Sequence, residues 1–442
     1  MDTDVLKRYS AVEVALLAIF ALGLGLSLLV VQARGRVELG EPVQLPGAGL
    51  AAPAPQGDKW QSVGGWRYES DNAFVLLSLM RIGGRPVMHV RWRYALCDEP
   101  TDPEQLLQSR ADSAGGRLIP LGRFEGPIAM VAGRIYTSDP TGQDFLVGVA
   151  PLDFGRRLEL LISYRSDGWF AENVFRTLAA GVRYEQPTAL QAGAQAVGQF
   201  TEAFDRHTAD LFDASAPQEM QLMIKDTSDR PLGFIDRRFF LHHDDEQADG
   251  HYRITTRYLE PGGTYSESDL WLDAEEDTFT WTTQTWPPRS RQPRRAELRA
   301  NTLQRMILTT NTERERALQR TAMMLPEPLL PAFIAGLVHT DTDEIIIDVL
   351  TGSGFVVPTR LAVIDTEQSH VRASNQITVV RADYLHMDGS FDELIYDQQG
   401  RYLGRFEQVP QQPARLWEQA EAEQLKSTFG QRYEQSSRRN FQ

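Results

Sequence analysis

Few residues in this chain have the type and spacing that chemistry needs. Cys97 is the single cysteine, so no internal disulfide can form. A nucleophilic thiol needs a lowered pKa and a base within hydrogen-bond reach. Cys97 instead ends an apolar run and precedes Asp98 and Glu99, two carboxylates that would raise it. His242, His243, Asp244 and Asp245, with His251 close by, form the best metal candidate, because imidazole and carboxylate are zinc donors. Adjacent residues on a strand point to opposite faces, however, and the run enters "DDEQADG", which reads as an acidic hairpin loop. Gly352-Ser353-Gly354 lacks the five-residue frame of a nucleophile elbow. There is no Walker A loop, dinucleotide fingerprint or HExxH, so the sequence implies neither a cofactor nor an enzyme.

Two other groups are candidates for binding. Residues 287–320 hold nine arginines against three glutamates in an otherwise acidic chain. Within them Arg289, Arg291, Arg294 and Arg295 could dock lipid phosphates or an acidic partner, since guanidinium pairs with planar anions, or they could line a solvated loop. Phe279, Trp281, Thr283 and Thr285 share one strand face, either as core or as the wall of an apolar cavity. A lipid-binding cavity would be large and lined by Trp281, Tyr258 and Phe333; a solid core there would count against it.

Elements must position these residues. Val14 to Val31 is an 18-residue run without a charge, and with Ala11 and Val12 it has the length that crosses a bilayer. Residues 11–32 are therefore expected to be a transmembrane signal anchor, with residues 1–10 inside and the bulk in the periplasm as a single-pass inner-membrane protein. Cleavage and secretion to the periplasm is the alternative. The formal net charge of −15 argues against nucleic acid as a partner. Arginine supplies most of the positive charge, a habit of GC-rich bacterial genomes. Residues 33–59, rich in Pro, Gly and Ala, read as a spacer.

Residues 60–185 alternate strand and helix patterns. Met88, Val90, Trp92, Tyr94 and Leu96 alternate with polar residues, and a helix is expected from Asp102, its N-cap, to Gly115. Residues 186–200 read as a second linker. Residues 201–410 are β-rich, with a helix at "EPLLPAFIAGLV". The tail, 411–442, carries a helix candidate, "ARLWEQAEAEQLKSTF", and a polar end. The segments 226–233 and 397–404 share the pattern D-x-x-[DG]-R-x-L-G, either common turn chemistry or a duplicated hairpin.

In the first region, "WRYESDNAFVLLSL" and "LISYRSDGWFAENVFRTLAAGVRYE" resemble the opening hairpin and the closing strand and helix of PsbP-like αβα sandwiches. That resemblance implies an accessory, scaffold-like role. In the second, "RPLGFIDRRFFL", "MLPEPLLPAFIAGLV" and "SFDELIYDQQGRYLGRFE" resemble the LolA-like lipoprotein-carrier fold, a curved antiparallel sheet closed by a helical lid. That one implies an apolar cavity for acyl chains. The expected fold class is α+β: one transmembrane helix, then two antiparallel-sheet domains with packed helices. The expected function is a membrane-anchored, extracytoplasmic, non-enzymatic interaction or scaffold protein with a protein partner. The alternative is binding of a lipid or an acylated protein on the concave sheet of the second domain.

Overall fold

The structure is a computed structural model. It describes residues 16, 19–24 and 37–433, apart from 63, 98–101, 139–141, 166–167, 216–218, 244–249, 274–277, 291, 302–305, 312–314, 339–343, 366, 372–376 and 431. The chain is mostly β, 52 % strand against 20 % helix, which corrects the α+β expectation. The long alternating runs pair as two large antiparallel sheets, and the helices between them are few.

The first sheet has eight strands. Seven follow the spatial order Trp60–Ser62, Ala73–Ile82, Arg85–Ala95, Arg157–Tyr164, Asp144–Pro151, Met130–Thr137 and Gly116–Phe124. Helix α1 (Pro103–Ser113), capped by the Asp102 carboxylate, packs Leu107 and Ala111 against Ile135, Val147 and Val149 on one face. Helix α2 (Gly168–Gly181) covers the other face. Its Phe175 lies over Gly148, where a Cβ would come within 2.5 Å of the ring.

The second sheet has fifteen strands. It runs Glu315–Gln319, Met306–Asn311, Arg294–Asn301, Thr278–Trp286, Tyr265–Asp273, Gly250–Leu259, Pro231–His243, Glu219–Asp226, Arg415–Gln419, Tyr402–Gln408, Phe391–Asp397, Ile377–Tyr384, Val356–Ile364, Glu344–Leu350 and Met324–Pro326. Every pair is antiparallel except the last, Met324–Pro326 on Glu344–Leu350. The sheet curls. Tyr258 and Trp417 lie three strands apart, roughly 14 Å on a flat sheet, yet their ring centroids are 5.7 Å apart. The first and last strands in this order are joined directly through Arg320–Met323.

Several segments differ from the sequence expectation. Residues 37–56 are folded rather than a spacer: Leu45, Leu50 and Ala52 are buried, and the Pro53 carbonyl accepts a hydrogen bond from Trp92 Nε1 at 2.9 Å. Residues 188–200, expected as a linker, belong to helix α3 (Thr188–Ser215). Alanines and small polar residues supply helix propensity there, and Leu190 and Val197 supply the buried stripe. Helix α3 lies so close to the strand Glu344–Leu350 that a Cβ on Gly193 would fall 1.9 Å from the Ile346 carbonyl oxygen. The tail helix is shorter than expected. Arg415–Gln419 is a strand between Glu219–Asp226 and Tyr402–Gln408, and the helix Ala422–Phe429, α5, starts only after it.

The expected membrane span is also corrected. Among the described residues no helix is long and apolar enough to cross a membrane, so the transmembrane signal anchor and the single-pass inner-membrane placement are not supported. Residues 16 and 19–24 are helical, while residues 1–10 and the rest of 11–32 lie outside the described residues.

The two D-x-x-[DG]-R-x-L-G segments fold alike. Asp226 Oδ1 accepts from the Ser228 and Arg230 amides, and Asp397 Oδ1 accepts from those of Gln399 and Arg401. Each hairpin carries its bulge at the matching place, after Ile224 and after Ile395. Each ends on a glycine, Gly233 or Gly404, whose Cβ would meet the next strand's carbonyl oxygen at 2.1 Å.

The two sheets meet across a buried polar contact. Arg156 Nη2 donates to Asp348 Oδ1 at 3.0 Å, with side chains 2 % and 0 % exposed. Arg156 Nη1 also reaches Met323 Sδ, and Cys97 Sγ donates to Asp348 Oδ2 at 3.6 Å. Around this pair Asn72 binds the Gly354 carbonyl and the Val356 amide, and the Gln319 amide donates to the Cys97 carbonyl. Burial works against the Arg156 charge, but Asp348 beside it holds the guanidinium above its ordinary value.

Two outcomes follow, both read by urea unfolding. Arg156→Met leaves the Asp348 carboxylate buried and unpaired and should cost about 3–5 kcal/mol, most of it recovered in Arg156→Met/Asp348→Leu; equal losses in the single and double variants would refute the pairing. Gly193→Val should cost about 1–3 kcal/mol by overpacking α3, and an unchanged midpoint would show that α3 can move away without penalty.

Candidate functional site

The concave face of the curled sheet carries a cluster of polar and aromatic side chains. Helix α4 (Leu330–Leu337), entered through the 3₁₀ turn Glu327–Leu329, sits inside the curl. Its Leu330, Phe333 and Ile334 are buried in the core. Two walls hold its entry. Arg237 donates to both Glu327 carboxylate oxygens at 3.1 Å and to the Pro328 carbonyl, and Tyr396 donates to the Pro331 carbonyl. Arg237 is only 2 % exposed, so its charge is matched almost wholly by these contacts.

Beside this plug the alternation of three neighbouring strands brings Asp392, Arg405 and Trp417 to the inner face. Arg405 Nη1 donates to Asp392 Oδ2 at 2.8 Å, and Tyr384 donates to the same oxygen. The Arg405 guanidinium stacks 3.5 Å over the Trp417 ring, and Trp417 in turn lies against Tyr258. Glu407 accepts from Trp417 Nε1 and faces Arg415. Burial raises the Asp392 carboxyl above its ordinary range, with Arg405 opposing and Glu407 reinforcing. Burial likewise raises the Tyr258, Tyr384 and Tyr402 hydroxyls, so all three stay protonated donors.

Hydrogen bonding in this cluster is incomplete. Asp392 Oδ1 and Arg405 Nε are sealed from solvent and have no hydrogen-bond partner among the described residues. Arg405 Nη2 and the hydroxyls of Tyr258 and Tyr402 also make no hydrogen bond among the described residues. Arg405 lies deep in the curl, yet its side chain keeps 22 % exposure.

The residues singled out in the sequence are not assembled into one site. Phe279, Trp281 and Phe333 are 5 %, 2 % and 2 % exposed and belong to one packed core. Trp281 is covered by the turn at Gly352, where a Cβ would stand 3.0 Å from its ring. The expected apolar cavity around Trp281 and Phe333 is thus solid, and Tyr258 packs against the same core and against the Trp417 ring. Arg289, Arg294 and Arg295 are exposed, but Arg294 and Arg295 alternate across the sheet and form no single patch; Arg291 lies outside the described residues. Asp244 and Asp245 also lie outside them, His242 and His243 are in a strand, and no group of three metal-binding side chains occurs among the described residues. Cys97 is fully buried, and burial, with Asp348 next, pushes its thiol well above the ordinary value. The sequence reading missed Asp392, Arg405 and Trp417. The alternation of "FDELIYD" was its only signal, and a carboxylate on a strand ordinarily faces water.

No family model matches the chain, and no curated protein matches it. Several solved structures are similar over part of it, and two of them show the extent. One is a beta-barrel-like protein of domain of unknown function DUF1849 from Brucella abortus, 11 % identical, with a TM-score of 0.33, covering 46 % of this chain and 95 % of that one. The other is a DUF1089 family protein from Pseudomonas aeruginosa, 14 % identical, with a TM-score of 0.23, covering 40 % and 89 %. What stands of the two resemblances is β-rich architecture. The PsbP-like resemblance finds no support and is corrected.

Asp392 sets a testable pH dependence. Its folded pKa lies above the unfolded value of about 3.9, so between the two values the folded state binds the extra proton. Its contribution to stability is present at low pH and is lost as pH rises through that window. Urea unfolding at pH 4 and pH 7 should show the wild type losing ground to Asp392→Asn at the higher pH; a constant difference would refute the raised carboxyl.

Proposed function

We propose that this chain is a non-enzymatic interaction protein that docks a protein partner on the convex face of its large sheet. The observation that carries the reading is one cross-strand row, Phe240, Arg253, Trp271, Thr280, Arg299 and Leu308, in continuous register over six strands. Phe240, Trp271 and Leu308 are 42 %, 40 % and 40 % exposed on it, while the concave face behind them is packed. Aromatic side chains and arginine are the residues that protein interfaces enrich. Arg253 stacks 4.8 Å over the Trp271 ring and pairs with Asp269, which holds the ring in place before any partner arrives. The buried, raised thiol of Cys97 supports a role without nucleophilic catalysis.

The test is co-purification of the full chain from its native source, followed by mass spectrometry. A protein recovered in near-stoichiometric amount, and lost with Phe240→Ser/Trp271→Ser, is the expected outcome. Equal recovery with that variant, or recovery of lipid alone, overturns the reading.

A second reading, an acyl-chain binder of the LolA-like kind, is favoured by α4 alone. An apolar helix held at its entry by polar contacts would open apolar space if displaced. Arg237→Met should then raise fluorescence of added 1-anilinonaphthalene-8-sulfonate, and unchanged fluorescence counts against it.

A further inference from the structure

We propose that His242, His251 and Asp273 form a site for a zinc-class divalent cation at one end of the large sheet. The site lies beside the row of Phe240, Arg253 and Trp271 and does not rest on the docking role given to that row.

Sequence order separates these three residues, and register brings them together. His242 and His243 are neighbours in the chain, but successive residues of a strand belong to opposite faces. Across the strands the set is different. His242 is directly opposite His251 on the next strand, and His251 is directly opposite Asp273 on the one after. Residues paired in this way share a face, with Cβ atoms about 4.5–5.5 Å apart. His242 is two residues beyond Phe240, and Asp273 is two beyond Trp271. The row is therefore on the convex face, next to the exposed one.

Those residue types at that spacing match a transition-metal dication. Zinc takes imidazole nitrogen at about 2.0–2.1 Å in a tetrahedral shell, so two donor nitrogens stand roughly 3.3 Å apart. That separation is one that imidazoles on directly opposed residues can close. Two histidines and one carboxylate leave the fourth position open, as in exchangeable rather than closed structural zinc sites. Imidazole donors also select zinc, copper or nickel over calcium and magnesium, which prefer oxygen.

Charge points the same way. The strands are consecutive hairpins, so the connections 244–249 and 274–277 join them at the end that carries the row. These connections lie outside the described residues, but in sequence they hold seven carboxylates and no lysine or arginine. Arg253, in the neighbouring row, is matched by Asp269 through two hydrogen bonds. A dication at this end therefore relieves repulsion among like charges.

The experiment is isothermal titration of the untagged, chelator-stripped full chain with zinc chloride and, separately, calcium chloride. Zinc should bind at one equivalent, and calcium far more weakly. His242→Gln and His251→Gln should each weaken zinc about tenfold or more, and Asp273→Asn several-fold. His243→Gln, one residue away but on the other face, should leave the affinity unchanged. All of these positions are at strand ends, so the fold is expected to persist, and equal urea midpoints without zinc would verify it. Should His251→Gln not fold, the His242→Gln and His243→Gln pair decides, because the two substitutions are identical and differ only in face. Calcium binding as tightly as zinc would mean that carboxylates alone hold the ion. That result, an equal loss with His243→Gln, affinity that survives the His242 and His251 changes, or no zinc binding would each overturn the site.

Discussion

The contact on which the arrangement depends is the ion pair between Arg156 and Asp348. Neither side chain reaches water; Arg156 immediately precedes the strand Arg157–Tyr164 of the first sheet, and Asp348 lies in a strand of the second. Desolvating two charges costs several kcal/mol per ion, and that cost is offset only when geometry and further hydrogen bonds are good. Here Met323, Cys97 and the Phe154 carbonyl supply them. The pair therefore discriminates among ways of docking the two sheets. An orientation that separates it leaves two buried charges, so few alternatives compete.

That orientation decides what the large sheet can use. Its strand Glu344–Leu350 is occupied on the outer side by Arg156 and by α3, the latter through Gly193. On the convex side of the strands from Pro231–His243 to Met306–Asn311, Phe240, Trp271 and Leu308 are exposed, while helix α5 and Tyr433 cover Phe234, Asp236 and Arg257 at the other end of the first two strands. The concave side divides in two. Toward Phe279, Trp281 and Phe333 it is a hydrophobic core. Toward Asp392, Arg405 and Trp417 it is polar, aromatic and incompletely bonded.

How far the sequence foretold this depends on the range of the interactions. Alternation such as that of Met88 to Leu96 reports a half-buried strand from local order alone. The Asp226 and Asp397 turns were legible for the same reason, because each side chain bonds amides two and four residues away. The segment 37–56 looked like a spacer because its prolines and glycines say nothing of Leu45 and Leu50 finding a distant sheet. Residues 415–419 looked helical because the strands that receive them lie on either side from far-off parts of the chain. Arg405 and Asp392 were invisible as a pair, since facing inward is a property of the curl and not of either strand. Trp281 was legible as inward-facing but not as covered, because the turn at Gly352 that covers it is distant in sequence.

The join at Arg320–Met323 has a mechanical consequence. A curled sheet held by its own chain has one seam, and here the seam is the short parallel pairing of Met324–Pro326. Met323 at its border is also a partner of Arg156. Pulling the seam open therefore draws an acceptor away from the buried guanidinium, and prising the two sheets apart loosens the seam. Opening of the curl and separation of the sheets are one cooperative event, so a force or ligand acting on either is felt at the other.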